Sequence, residues 1–207
     1  MPMFISFEGL DYCGKTTQAF LLTDFFKSKG KNVILLREPG GTPISEKIRS
    51  ILLDEEYEDL TFVAELLLFS AARNQLVKQV IQPALKDNRI VICDRFVDST
   101  TVYQGYGRGI NLEYITIINK ISTDGLMPDY TFFLDIEVEE MLNRREIARG
   151  VADRMESSGI EFFNKVRNGF WQVAQNSPDR FIVINGKNPI DQIHKEIRKF
   201  ILDKVSI

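Results

Sequence analysis

A glycine-rich stretch near the start of the chain has the residue types and the spacing of a phosphate-binding loop. Gly9, Gly14, Lys15 and Thr16 fill every fixed position of the pattern G-x-x-x-x-G-K-S/T. Backbone N–H groups of such a loop converge on an anion, the lysine neutralises the β- and γ-phosphates, and the hydroxyl binds Mg²⁺. The sequence therefore predicts a nucleoside triphosphate site made of Gly9, Leu10, Asp11, Tyr12, Cys13, Gly14, Lys15, Thr16 and Thr17.

The residues on either side of this loop are those that the motif requires. Ile5 to Phe7 is apolar and predicts a strand, and Lys15 to about Lys29 predicts a helix that Gly30 ends. The strand, loop and helix together disfavour a chance glycine–lysine turn. They do not say which reaction the triphosphate serves.

A carboxylate further along the chain is placed to share a metal ion. Asp94 follows the apolar run Ile90 to Cys93, which predicts a strand ending in an acid. Because a strand-end carboxylate helps to hold Mg²⁺ in phosphate-loop enzymes, Thr16 and Asp94 are the predicted metal site. The alternative is a solvated strand end with an incidental Asp-Arg pair.

Arginines recur where loops or a site are expected, at Arg37, Arg73, Arg95, Arg108 and the run Arg144 to Arg154. Only arginine offers a planar fork that binds phosphate with two hydrogen bonds and keeps its charge. This supply fits an enzyme that holds two phosphorylated ligands face to face. The segment of about residues 144–157, with Gly150 inside it, predicts a mobile basic lid that excludes water; the alternative is a solvated helix end.

Short apolar runs alternate with helical patterns along the whole chain. This alternation predicts an α/β fold of one domain, residues 1–207, in which a five-stranded parallel sheet is covered by helices on both faces. Ligands of such sheets bind at the carboxyl ends of the strands, where the motifs fall. The predicted strands are Ile5–Phe7, Val33–Leu36, Ile90–Asp94, Tyr130–Asp135 and Phe181–Ile184.

Other segments predict the helices and loops between the strands. The residues Thr61 to Lys86 predict a long helix that is apolar on most faces and bent late by Pro83. Such a helix is buried on more than one side, either against a partner subunit or within its own domain. The remaining predicted elements are helices at 44–53, 99–104, 113–121, 138–144, 159–174 and 189–205 and a loop at 106–109.

Composition limits the classes of partner. The chain has 207 residues, a formal net charge of −3 and two cysteines, Cys13 and Cys93. Nothing in this balance indicates a nucleic-acid or membrane partner, and no apolar run reaches the ~18 residues of a membrane span. Two cysteines without a framework spacing and no signal-like N-terminus predict a reducing, cytoplasmic setting.

Phe69 and Arg73 lie four residues apart on the long helix, hence on one face. A ring that stacks on a base, with a guanidinium beside it, would make a nucleobase pocket. From the residues alone, an apolar phenylalanine on such a helix is more often part of the core.

Several motifs, in order, are similar to those of bacterial-type thymidylate kinases (dTMP kinases), over essentially the whole chain. They are Phe7-Glu8-Gly9-x-Asp11 with Gly14-Lys15-Thr16-Thr17-Gln18, Arg37-Glu38-Pro39-Gly40-Gly41-Thr42, Glu46-x-x-Arg49, Leu68-Phe69-x-Ala71-x-Arg73, Asp94-Arg95-Phe96, and Ser99 through Tyr103-Gln104-Gly105. The resemblance implies the phosphate-loop NTPase fold with an arginine-rich lid, transfer of the γ-phosphoryl group of ATP to dTMP, and Mg²⁺.

The resemblance also implies roles for individual residues. Lys15, Arg95, Arg145 and Arg149 would be catalytic, with Arg154 as a further lid candidate. Phe69 would stack on thymine, Tyr103 would exclude a ribose 2′-hydroxyl, and Thr101 would lie near the pyrimidine. The implied substrate-binding set is Asp11, Glu38, Phe69, Arg73, Arg95, Ser99, Thr100, Tyr103 and Gln104.

This chain departs from the family pattern inside the phosphate loop. Some members have an arginine directly after the acidic residue, and bacterial loops usually have small residues at both following positions. Here the residues are Tyr12 and Cys13, so the catalytic arginine is expected from the lid. Members of this family form homodimers through long apolar helices. The resemblance therefore implies a homodimer through residues 61–86.

Three other functions fit parts of the sequence. A kinase for dUMP or UMP would share the phosphate chemistry, because Thr100 and Thr101 do not by themselves fix the base. A GTP-dependent switch is disfavoured, because Asn119-Lys120-Ile121-Ser122 lacks the acid of N-K-x-D and no D-x-x-G follows the third strand. An inactive homologue is disfavoured by the presence of Lys15, Thr16, Asp94 and Arg95.

Overall fold

The computed structural model describes residues 2–148 and 153–204. Five parallel strands, β1 (Met3–Glu8), β2 (Val33–Arg37), β3 (Ile90–Asp94), β4 (Tyr130–Asp135) and β5 (Phe181–Asn185), form one sheet in the order β2-β3-β1-β4-β5. The predicted five-stranded parallel sheet is confirmed. Its register pairs Phe7 of β1 with Asp94 of β3 and with Phe132 of β4, so the carboxyl ends of the central strands lie side by side.

The described helices lie between successive strands or, for the last one, after β5, and they cover both faces of the sheet. They are α1 (Lys15–Ser28), α2 (Pro43–Leu53), α3 (Phe62–Leu76), α4 (Gln82–Lys86), α5 (Val97–Thr100), α6 (Leu112–Thr123), α7 (Val138–Ala148), α8 (Ile160–Asn176) and α9 (Ile190–Lys204), with a short 3₁₀ turn at Glu55–Tyr57. None of these helices combines the length and the hydropathy needed to cross a bilayer.

Alternation along β1 explains how the core is divided. Met3, Ile5 and Phe7 belong to one apolar cluster, whereas Phe4 belongs to a second cluster on the opposite face. Successive strand residues point to opposite faces, and both faces are apolar because both are buried. The three-layer arrangement expected from the sequence follows from this.

The long helix predicted over Thr61 to Lys86 is present, but it is not regular. α3 passes into a π-helical turn at Val77–Ile81 and then into α4. Pro83 has no N–H to donate to the preceding turn, and the wide turn lies directly before it. The irregularity thus begins earlier than the late bend expected at Pro83.

The predicted loop at 106–109 is wrong in its first part. Residues Thr101–Gly107 form a π-helical segment that continues α5. Its glycines allow close packing, because a Cβ on Gly107 would lie 2.6 Å from the Phe162 ring and one on Gly105 would lie 2.7 Å from Leu112. Packing against α8 and α6 therefore sets this segment.

Candidate active site

A cavity of about 910 Å³ lies at the carboxyl ends of the central strands. It extends from the phosphate loop to the inner face of α3. With this volume and extent, it can hold two ligands end to end. The predicted site residues that line it are Asp11, Tyr12, Gly14, Lys15, Thr16, Thr17, Glu38, Phe69, Arg73, Asp94, Arg95, Ser99, Thr100, Tyr103 and Gln104.

The phosphate loop is shaped by backbone that only glycine adopts easily. Gly9 has φ 141° and Gly14 has φ 98°, and a Cβ on Gly9 would lie 2.5 Å from the Leu134 carbonyl oxygen. Gly9 does not line the cavity, and Leu10 and Cys13 are buried in the core. The side chains of Leu10 and Cys13 are therefore structural, and any contact that these residues make with a phosphate comes from their backbone.

Lys15 begins α1 and its ammonium group folds back over the loop. Its Nζ donates to the Leu10 carbonyl oxygen at 2.6 Å and lies 3.7 Å from Cys13 Sγ. Burial raises the pKa of the Cys13 thiol, despite the opposing charge of Lys15. The loop therefore presents one positive charge and the N-terminus of a 14-residue helix to the cavity.

The two predicted metal-binding residues meet at the mouth of the loop. Thr16 Oγ1 donates a hydrogen bond of 2.5 Å to Asp94 Oδ2. A hydroxyl and a carboxylate are hard oxygen donors of the kind that Mg²⁺ prefers, and this ion keeps waters and substrate phosphates as its other ligands. No group of three or more His, Cys, Asp or Glu residues able to hold a metal occurs in the described ranges. The chemistry of this pair fits an ion shared with phosphates.

Arg95 lies at the centre of a polar network beside the loop. Its φ is 70°, in the left-handed region, and its guanidinium donates to the Gly9 carbonyl oxygen and Ser99 Oγ, each at 3.1 Å, and to the carboxylate of Asp11. Burial raises the pKa of Asp11, but the charges of Arg95 and Lys15, with the hydrogen bonds from Arg95 and Tyr103, together hold that pKa below its usual value. Arg95 Nη2 also lies 3.3 Å from the Tyr103 hydroxyl.

Glu8, at the end of β1, supports this network from below. It is fully buried, and it accepts hydrogen bonds from the Phe96 N–H at 2.7 Å and from Ser99 Oγ at 2.6 Å. Burial raises its pKa to about 7, with a further rise from Asp98. Glu8 thus fixes the chain on the far side of Arg95.

A buried ion pair forms the inner wall of the cavity. Arg73 Nε donates to Glu38 Oε2 at 2.7 Å, and the Arg73 Nη1 donates to Thr100 Oγ1 at 2.8 Å. Burial raises the pKa of Glu38, and the charge of Arg73 only partly offsets this. The second carboxylate oxygen of Glu38 is buried, with no hydrogen-bond partner among the described residues.

Phe69 is both a core residue and a residue of the cavity, the two roles that its position on the helix allows. It is half-buried, packs against the core cluster, and still lines the cavity one turn before Arg73. At the next corner Gln104 Nε2 donates to Glu65 Oε1 at 2.8 Å. Thr101 does not line the cavity, and its hydroxyl accepts from Asn119 Nδ2 at 3.1 Å.

The structure places the arginines of the predicted lid in different surroundings. Arg145 is the last basic residue of α7 and donates to the Glu156 carbonyl oxygen at 2.8 Å, outside the cavity lining. Arg149 and Gly150 lie outside the described residues. Arg154 pairs with Glu65 at 2.7 Å and donates to the Leu52 carbonyl oxygen, which turns its charge into the protein.

Some residues that line the cavity were missed by sequence reasoning. Arg49 is half-buried there and donates to the Pro39 carbonyl oxygen at 2.9 Å; the spacing Glu46-x-x-Arg49 was its available signal. Asp153, Met155 and Glu156 also line the cavity. They lie within the segment of about residues 144–157 that was expected as a lid, but none of the three was expected to line the site.

Comparisons with known proteins agree with this geometry. The family model for thymidylate kinase matches residues 7–197. A thymidylate kinase of Caldanaerobacter subterraneus subsp. tengcongensis is 49% identical over 95% of this chain and 93% of its own length, and one of a Sulfurihydrogenibium species is 49% identical over 95% of both. The crystal structure of thymidylate kinase from Ehrlichia chaffeensis superposes with a TM-score of 0.79 at 37% identity, covering 97% of this chain and 98% of that one.

Proposed function

The chain belongs to the thymidylate kinase family, and from this premise we propose that it transfers the γ-phosphoryl group of ATP to dTMP, giving dTDP. The observation that carries the proposal is one cavity with a phosphate loop at one end and a half-buried aromatic ring beside a buried arginine at the other. We infer that residues 1–207 are a single kinase domain. Two free, buried cysteines favour a reducing compartment, and we propose the cytoplasm.

The donor half consists of the loop, Lys15, Thr16 and Asp94. Thr16 and Asp94 would hold Mg²⁺, whose role when bound is to neutralise the charge of the β- and γ-phosphates. Lys15 lies 2.6 Å from a loop carbonyl oxygen, which it can exchange for a phosphate oxygen. Loop N–H groups at the N-terminus of α1 bind the remaining oxygens.

The acceptor half consists of the groups around Arg95 and Arg73. We propose that Arg95 and Arg49 bind the dTMP phosphate, since both guanidinium groups reach the cavity beside the loop. Phe69 stacks on the base, and Arg73 with Thr100 offers polar atoms to its edge. Tyr103 and Asp11 lie at the sugar, and the remaining members of the substrate set are Glu38, Ser99 and Gln104.

No protein nucleophile is needed for this transfer. A phosphate-monoester oxygen is already ionised at neutral pH, so the protein has only to align two anions and neutralise their charge. Arg95 lies between the two halves, bonded to the Gly9 carbonyl oxygen and to Ser99. We propose Lys15 and Arg95 as the catalytic residues of the cavity; Arg145, outside the cavity lining, and Arg149, outside the described residues, are the proposed catalytic arginines of the lid.

The experiment that tests the function measures ADP release from ATP and Mg²⁺ with dTMP, dUMP, UMP, dCMP and dGMP as parallel acceptors. Turnover should be fastest with dTMP. Faster turnover with another acceptor would keep the phosphate chemistry and contradict the base-pocket assignments at Phe69, Arg73 and Thr100. ADP release that no acceptor increases would contradict the kinase assignment.

We further propose that the protein is a homodimer through the outer faces of α3 and α6. These two helices pack against each other, and both expose large apolar side chains: Phe62, Val63, Leu67, Tyr114, Ile117 and Ile121. Exposed apolar patches rarely persist on monomers, and a second copy would cover this one.

The dimer can be tested by sedimentation of matched charge variants. Ile117→Glu should shift the protein towards the monomer mass, because it places a charge at the centre of the patch. Ile190→Glu is the control, since Ile190 and Ile117 are each 56% exposed but Ile190 begins α9, outside the patch. A wild-type protein that sediments as a monomer at micromolar concentration would contradict the proposal.

A further inference from the structure

Tyr12 occupies a position of the phosphate loop that is unfavourable for its side chain. Its φ is 60°, in the left-handed region. An L-residue with a bulky side chain adopts that backbone only at an energetic cost, whereas glycine would adopt it freely. The side chain must therefore make contacts that offset this cost.

The hydroxyl and the backbone carbonyl of Tyr12 join the loop to the chain on both sides of residues 149–152. The Tyr12 hydroxyl donates to Glu156 Oε2 at 2.9 Å, and the Tyr12 carbonyl oxygen accepts from Arg144 Nη1 at 3.3 Å. Arg145 Nη1 in turn donates to the Glu156 carbonyl oxygen at 2.8 Å. A single loop residue thus holds the end of α7 and the turn that contains Glu156.

That turn, residues 153–157, is internally ordered and borders the cavity. Asp153 Oδ1 accepts hydrogen bonds from the N–H groups of Met155 and Glu156, each at 2.9 Å. Asp153, Met155 and Glu156 all line the cavity. This turn forms the wall of the cavity near the phosphate loop. Because its residues are hydrogen-bonded to one another, a contact that fixes the Glu156 side chain fixes the whole turn.

The Tyr12 hydroxyl keeps its proton, and so remains a hydrogen-bond donor, at neutral pH. Burial, with the hydrogen bond to Glu156, raises the pKa of Tyr12 to about 12. The contact is then one between a neutral hydroxyl and a carboxylate, which is stronger than a bond between neutral groups.

We propose that Tyr12 is a positioning residue for phosphoryl transfer, whose hydroxyl, through Glu156, holds the 153–157 turn and Arg145 against the phosphate loop. The held wall narrows access of water to the γ-phosphoryl group. Loss of the bond lets the wall move, so that transfer slows and hydrolysis of ATP gains relative to transfer. This inference rests on the proposed kinase activity.

Tyr12→Phe removes only the hydroxyl and leaves the ring and the backbone requirement in place. We expect kcat for dTMP phosphorylation to fall about tenfold, the scale of one hydrogen bond to a charged group, with KM for both substrates within about twofold. The ratio of ATP hydrolysis to transfer should rise by a similar factor. Tyr130→Phe is the matched control, because it removes the same atom from β4, outside the cavity lining.

A double-mutant cycle tests whether the effect passes through Glu156. Glu156→Ala should lose about as much kcat as Tyr12→Phe, and the double variant should be no slower than either single one. Glu156→Gln keeps an acceptor oxygen and should be several-fold faster than Glu156→Ala.

Two results would overturn the inference while leaving the kinase assignment intact. One is a Tyr12→Phe enzyme with wild-type kcat and an unchanged ratio of hydrolysis to transfer. The other is a double variant whose loss equals the product of the single losses. If the wild type itself phosphorylates no acceptor, the proposed function fails before this test applies.

Discussion

The buried ion pair of Arg73 and Glu38 allows a sharp prediction for the variant Arg73→Met. The two side chains are 2% and 4% exposed, and the Nε–Oε2 distance is 2.7 Å. Methionine fills much of the same space without charge, and leaves the Glu38 carboxylate buried with neither oxygen paired to arginine. Removing one partner of a buried pair costs about 3–5 kcal/mol.

That cost can be converted into a melting shift. A chain of 207 residues has an unfolding entropy of about 0.4 kcal/mol/K near its midpoint. A loss of about 4 kcal/mol should therefore lower the Tm by roughly 9 °C. The measurement is calorimetry of both proteins at equal concentration, because a dimer's Tm depends on concentration.

The pH dependence shows whether the stranded carboxyl is the cause. Burial already raises the pKa of Glu38 above its unfolded value of 4.5, and loss of Arg73 raises it further. Folded Glu38 then binds more protons than the unfolded chain, so stability falls as pH rises through the interval above 4.5. Arg73→Met should be more destabilising at pH 8 than at pH 5.5.

A second substitution provides the control. In Arg73→Met/Glu38→Gln neither position of the former pair carries a charge. The double variant should therefore be more stable than Arg73→Met at pH 8. A loss below about 1 kcal/mol for Arg73→Met, under the 3–5 kcal/mol scale, or an equal loss at both pH values, would refute the reasoning.

Three further predictions concern the loop, the base pocket and Glu8. Lys15→Ala should lower kcat by about 10²–10³-fold through lost transition-state charge, and near-normal steady-state turnover would contradict the site. Phe69→Ala should weaken dTMP binding by roughly 1–3 kcal/mol and ATP binding much less, as titration calorimetry would report; equal losses would return the ring to a purely structural role. Glu8, whose pKa rises from 4.5 to about 7, binds more protons when folded than when unfolded. As the pH rises from 5 to 8, the wild type should therefore lose up to about 3 kcal/mol more stability than Glu8→Gln, as measured by urea unfolding. Parallel pH profiles of the two proteins would argue against a buried, titrating Glu8.

Sequence reasoning succeeded where local chemistry decides the structure. The run Ile90 to Cys93 is apolar on both faces and ends in Asp94, and β3 has those bounds. The phosphate loop forms between a strand and a helix because its glycines take backbone angles that other residues avoid.

It failed where the deciding contact lies far along the chain. Residues 101–107 read as a short helix and a loop, since nothing within them announces a π-helix. The deciding contacts come from α8, whose Gly169 lies so close to Tyr106 that a Cβ there would meet the ring at 2.8 Å. The register of α8 on this segment is a property of the folded chain, which local periodicity does not encode.

Glu65 shows the same limit for charge. The sequence presents it as one acid in a long apolar helix, yet its carboxylate is fully buried and accepts from Gln104 at 2.8 Å while pairing with Arg154 at 2.7 Å. A buried carboxylate needs such partners, because burial without them would cost far more than the helix gains. Arg154 was expected as an arginine of a water-excluding lid, and in the structure it supplies the charge that Glu65 requires.

This pairing gives α3 two faces with different tasks. Val63 and Leu67 point away from the domain, at 57% and 52% exposure, towards the proposed partner subunit. On the inner side, Glu65 holds the chain after residue 153 through its ion pair with Arg154. Arg73, about two turns further along α3, forms the inner wall of the cavity with Glu38. The proposed dimer contact, the cavity wall near the phosphate loop and the proposed acceptor pocket therefore depend on the placement of one helix. A change that shifts α3 should then alter all three together, whereas a change confined to Tyr12 should alter the wall alone.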